Sequence, residues 1–138
     1  MTQNTVKRYL ITLVIFLILD GIWLGLIAQP FYQAQIGFLL SKNPNWAAAG
    51  AFYLLYVVGL VVFVVNPALQ SGATPGRAAL RGAFFGLVAY ATYDLTNLAT
   101  LDRWPLLLTA VDMAWGTTLG ALTAFAGVWA ARRAGAGG

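Results

Sequence analysis

Long apolar runs separated by short polar breaks dominate this chain. A helix crosses the hydrocarbon core of a bilayer with about 20 mostly apolar residues at a rise of ~1.5 Å each. Four segments meet that length: residues 9–28, 46–66, 78–101 and 104–131. The pattern predicts an all-α membrane protein of one domain, residues 1–138, with four transmembrane helices in a compact bundle. The first run follows Lys7 and Arg8 as a signal peptide would, but it is too long and lacks a small-residue cleavage site, so it reads as a retained span.

The breaks carry turn residues. Asn66-Pro67 and the stretch 70–76 predict a turn between spans two and three, and Asp102-Arg103-Trp104-Pro105 a tight turn between three and four. Only the 29–45 connection has room for structure. Phe31, Tyr32, Ile36, Phe38, Leu39 and Leu40 give it enough apolar surface to lie along the membrane interface or fold back over the bundle. The Ala/Gly-rich tail after Arg133 reads as a disordered end.

Charge sets the orientation. Lys7, Arg8, Arg77, Arg81, Arg132 and Arg133 fall on one side, against Lys42 and Arg103 on the other, and cytoplasmic flanks are the ones enriched in Lys and Arg. Both termini are therefore expected in the cytoplasm. The net charge of +4 does not imply nucleic acid, because the basic residues are scattered and form no stripe.

Composition then narrows the chemistry. Only 9% of residues are charged, against about 25% in ordinary soluble domains, and 60% are hydrophobic. The acids are Asp20, Asp94, Asp102 and Asp112; there is no glutamate, histidine or cysteine. That excludes zinc sites of the usual kind, disulfides, thiolate nucleophiles and Ser-His triads, so no metal or cofactor is expected.

Three of the four acids lie inside the spans, where an ionisable residue is a functional-site hypothesis by default. At a rise of ~1.5 Å per residue, Asp20, Asp94 and Asp112 all fall roughly 10–12 Å below the outer ends of their spans. The second span offers Tyr53 and Tyr56 at that depth, spaced i and i+3. On the third, Tyr90, Asp94 and Asn97 form a polar stripe with Tyr93 beside it, which must face the bundle. Trp23 and Trp115 each follow an aspartate by three residues, as a duplication or chance would leave them. Gly82/Gly86 and Gly116/Gly120 are G-x-x-x-G pairs that permit close helix approach or a homodimer seam.

Packing alone accounts poorly for these acids. An interhelical polar bond averages about 0.6 kcal/mol, whereas a charged Asp at a helix centre costs about 2.5–3.5 kcal/mol on insertion scales. Three carboxyls confined together are expected to share at least one proton. Asp102, beside Arg103, reads instead as a solvated ion pair or helix cap.

The Asp20-x-x-Trp23 pattern, Tyr93-Asp94-Leu95-Thr96-Asn97 and Asp112-x-x-Trp115-Gly116 together resemble a family of small bacterial predicted membrane proteins catalogued as a domain of unknown function. The resemblance covers nearly the whole chain and implies a four-helix protein of the bacterial inner membrane. Asn97, Asp102-Arg103 and Val111-Asp112 also resemble the order of motifs in lipoprotein signal peptidases, although the spacing departs and that family's segment after the second span is missing.

Three functions fit these residues. The first is binding or proton-coupled transport of a small amphiphilic or cationic ligand by Asp20, Trp23, Tyr53, Tyr56, Tyr90, Tyr93, Asp94, Asn97, Asp112 and Trp115. The others are acid–base catalysis on a lipid or isoprenoid, and an accessory subunit whose polar layer is satisfied by a larger membrane complex.

Overall fold

A computed structural model describes residues 3–137, and every regular element in them is helical. Four rods result. The first comprises α1 (Gln3–Ile22), a π-helical segment (Trp23–Ala28) and α2 (Gln29–Ile36). The second comprises α3 (Trp46–Leu60), a π-helical segment (Val61–Val65) and α4 (Asn66–Ser71). The third and fourth are α5 (Pro75–Thr100) and α6 (Leu106–Arg133).

The boundaries differ from the sequence expectation where proline is involved. Residues 29–36, expected in a connection, continue the first rod, and Asn66-Pro67, expected in a turn, continues the second. Proline lacks an N–H and its ring crowds the carbonyl four residues back. For Pro30 and Pro67 those carbonyls belong to Leu26 and Phe63, which lie inside the two π segments. The wide turns absorb the proline, and the rods bend there instead of ending.

The true breaks have ordinary causes. Gly72 takes the left-handed conformation after α4 with φ 70°, and the Thr74 hydroxyl accepts from the Arg77 N–H to cap α5. The turn at 101–105 is as expected, with Arg103 left-handed at φ 63°. Asn45 caps α3 through the Ala48 N–H. The tail is not disordered. Gly135 turns it back with φ 76°, Ala136 is buried, and the Ala136 carbonyl accepts a 2.6 Å bond from Arg8 Nε.

Gln3–Ile36, Trp46–Ser71 and Leu106–Arg133 are long and apolar enough to cross a membrane. The remaining rod, α5, has 26 residues, about 39 Å. It carries Arg77, Arg81, Asp94 and several threonines, which lower its apolarity. Two of those threonines, Thr92 and Thr100, turn their hydroxyls onto the carbonyls of Val88 and Thr96 at 2.7 and 2.8 Å.

The most extensive packing is between α5 and α6. Gly82 and Gly86 face Gly120 and Gly116, and a Cβ at Gly82, Gly86 or Gly120 would meet opposing backbone carbonyl. Helix α1 covers another side of α6, with Phe16, Leu119, Thr12 and Thr123 all fully buried. The main core runs through Phe16, Val57, Leu60, Val65, Leu119 and Val128. A second cluster of Ile36, Trp104 and Leu108 sits at the other end of the molecule, with Phe31, Tyr32 and Leu98 packed on it.

The seam should be intolerant of volume. Gly86→Leu and Gly120→Val are each expected to destabilise the fold by about 1–3 kcal/mol or more through overpacking. Gly50→Ala, where a Cβ meets open space, should be neutral or stabilise by up to ~1 kcal/mol. Reversible unfolding in mixed micelles reads both.

Candidate intramembrane acidic cavity

Between the two hydrophobic clusters lies a cavity of about 400 Å³. Three aspartates line it: Asp20 from α1, Asp94 from α5 and Asp112 from α6. They are 4%, 0% and 8% exposed, and no Lys or Arg reaches the lining. Burying carboxylates without a cation requires strong neutral donors, and aromatic side chains supply them.

The two Asp-x-x-Trp patterns interlock. Helices α1 and α6 run antiparallel, so the step from Asp to Trp in each brings Trp115 beside Asp20 and Trp23 toward Asp112. Trp115 Nε1 donates to Asp20 Oδ1 at 3.1 Å, and the Tyr53 hydroxyl donates to Asp20 Oδ2 at 2.6 Å. The Tyr32 hydroxyl donates to Asp112 Oδ1 at 2.6 Å and accepts from Trp23 Nε1 at 3.0 Å. The two indoles stack between these sites, 4.5 Å apart and 9° from parallel. Each tryptophan thus serves the aspartate of the other helix, one directly and one through a tyrosine.

Asp94 is different. Its carboxyl shares the cavity wall with that of Asp112. No donor among the described residues reaches either Asp94 oxygen, although both are buried.

Tyr90 and Tyr93 also line the cavity, Tyr93 with its ring edge-on to Trp104. Tyr56 and Asn97 do not. Tyr56 is one turn deeper, packed by Phe16, Phe85 and Tyr90, with its hydroxyl buried and unpartnered. Asn97 sits a turn beyond Asp94, where its backbone carbonyl accepts the Leu101 N–H that ends α5. Asp102 is exposed on the turn at 101–105 and is not a lining residue, so it does not face Asp112 across the cavity as the peptidase resemblance would require. Its neighbour Arg103 lies over the Phe38 ring at 3.8 Å.

Sequence reading missed Tyr32, the Asp112 donor, with Ile36, Leu40, Phe52, Trp104 and Leu108, which supply apolar wall. A signal was present: Tyr32 and Ile36 stand i and i+4 just after Pro30, a residue favoured in a first helical turn. The nine-residue step from Trp23 to Tyr32 is two and a half α-helical turns, which puts the pair on opposite faces of a straight helix. Their hydrogen bond exists because the π segment between them winds more slowly than an α-helix and so narrows that angle.

These features define an all-helical membrane protein with a buried, acid-lined cavity between its helices. The chain belongs to the family described as "predicted membrane protein (DUF2177)", which matches residues 5–129 and so includes every aspartate of the cavity. Neither the curated proteins nor the solved structures contain a match to it.

Removing one donor should expose the energetics of this network. Tyr53→Phe is expected to cost about 1–3 kcal/mol by leaving Asp20 Oδ2 unpaired. Combining it with Asp20→Leu should cost less than the sum of the two single changes, as a double-mutant cycle would record.

Proposed function

We propose that this protein crosses the bacterial inner membrane four times with both termini in the cytoplasm, and that its cavity binds and carries a small amphiphilic or cationic ligand in exchange for a proton. The observation that supports the reading most directly is Asp94, a fully buried carboxyl with two unpaired oxygens in a cavity that two further carboxyls line. Carboxyls confined together in a low dielectric repel unless a proton or a cation offsets their charge. Asp94 and Asp112 hold one proton, and a ligand cation displaces it. The stacked indoles and the tyrosines add cation–π attraction of about 0.5–2 kcal/mol.

The crossing of α5 is compatible with this picture, since its most polar side chain, Asp94, turns inward and its exposed Thr92 and Thr100 satisfy their own hydroxyls. Arg8 bonds to Ala136 and Asn66, and Arg132 bonds to Ala68, so these cations gather at the end away from Arg103 and Phe38. The basic-inside rule assigns that end to the cytoplasm. The carboxyls of one cavity also suit acid–base catalysis on a membrane substrate, one as acid and another as base.

Proton and cation compete for the same carboxyls, so binding should strengthen as pH rises. Titrating butylammonium into the protein in phosphatidylcholine nanodiscs, with tryptophan fluorescence as readout, should show that trend. Asp94→Asn should weaken binding at least tenfold, about 1.4 kcal/mol, and flatten its pH dependence; pH-independent binding or no binding sinks the reading. In proteoliposomes a pH gradient should drive uptake, whereas conversion of a lipid extract without a gradient would instead favour the enzyme.

Orientation is checked separately. The chain has no cysteine, so single replacements report cleanly. An impermeant maleimide added to spheroplasts should label Lys42→Cys and spare Arg77→Cys.

A further inference from the structure

The second rod and α5 pack on each other through the π segment and the adjoining turn of α3. At the inner end, the π segment after α3 packs on α5, Tyr56 contacts the rings of Phe85 and Tyr90, and Phe85 fills the space beside Gly59. Moving outward, the row on α5 continues from Phe85 to Ala89 and Tyr93 at i+4 and i+8. The row on α3 continues from Tyr56 to Tyr53 and Phe52. These outer residues line the cavity. Phe52 on α3 and Tyr93 on α5 both line the cavity while being 46% and 55% exposed, on surfaces that the proposed topology turns toward lipid. Asp94, the next residue on α5, lines the same cavity.

Resting on the ligand-binding reading above, we infer that the ligand is a membrane-dissolved amphiphile with an ammonium or hydroxyl head, which enters sideways from the bilayer between α3 and α5. Its head donates to the unpaired oxygens of Asp94, and its chain leaves through the gap between Phe52 and Tyr93 into the hydrocarbon. The chemistry selects a donor head because the Asp94 oxygens can only accept while ionised, and no Lys or Arg in the lining would hold an anionic one. The other carboxylates are already served: both Asp20 oxygens and Asp112 Oδ1 have aromatic donors. The lateral route follows from the wall, since Tyr32, Ile36, Trp104 and Leu108 close the outer end with a buried cluster.

The test uses 12-bromododecylamine, whose bromine quenches tryptophan on contact, and protein in phosphatidylcholine nanodiscs carrying Trp46→Phe and Trp129→Phe to remove the two most exposed indoles. Saturable quenching of the remaining tryptophans is expected, at least tenfold weaker in Asp94→Asn and unaffected by excess dodecanoate. Ala89→Phe, which fills the gap, should slow the quenching at least tenfold, and the smaller Ala89→Leu should slow it by an intermediate factor with wild-type thermal stability. Equal rates in both Ala89 variants and the parent would overturn the lateral route. Binding of butylammonium without saturable quenching by the bromoalkylamine would overturn the amphiphile and leave the cation-binding reading intact. Failure of both probes would remove both.

Discussion

In hydrocarbon, a polar group without a partner has no water to fall back on, and this rule organises the molecule. Three carboxyls are placed between the helices with no basic side chain to neutralise them. The surrounding chain answers with aromatic donors from four of its elements: α2 supplies Tyr32, α3 Tyr53, α6 Trp115, and the first π segment Trp23. The same rule governs Thr92, Thr100, Thr117 and Thr118, which bond back to their own helices, and the arginines at the far end, which take carbonyls from chain termini and helix ends. Against that background Asp94 stands out, because it is a carboxyl with both oxygens unpartnered, where the other unpartnered buried groups among the described residues are the single hydroxyls of Tyr56 and Thr123.

The glycine seam makes the arrangement rigid enough to matter. With Gly82 and Gly86 against Gly116 and Gly120, α5 and α6 approach at backbone distance. Asp94 and Asp112, each further outward on those two helices, are held in a fixed relation by that contact. Because α6 carries Asp112, packs on the helix of Asp94 and supplies the Trp115 that serves Asp20, one helix ties all three acids together.

Much of this was legible in the sequence. Apolar run length gave the helical rods, depth arithmetic placed Asp20, Asp94 and Asp112 in one layer, and antiparallel spans explain why paired Asp-x-x-Trp patterns can exchange partners. What stayed hidden was long-range geometry. Proline reads as a break, so Pro30 and Pro67 suggest helix ends where the rods continue, and nothing local identifies Tyr32 as the donor to Asp112, 80 residues away. Tyr56 shares a face with Tyr53, but its ring meets Phe85 and Tyr90 and is sealed into the core. The Ala/Gly tail has the composition of disorder; what orders it is Arg8, 128 residues earlier.

That last contact bears on how the protein is made. Asp20 and Arg8 on α1 gather their partners in two stages along the chain: the second rod brings Tyr53 and Asn66, and the far end brings Trp115 and the Ala136 carbonyl. While the ribosome is still extending the chain, the first rod therefore holds its acid and its base only half satisfied. It is a provisional insertion, and the last helix to arrive completes it. A chain stalled before α6 would leave Asp20 Oδ1 and Arg8 Nε without the partners that the finished fold supplies.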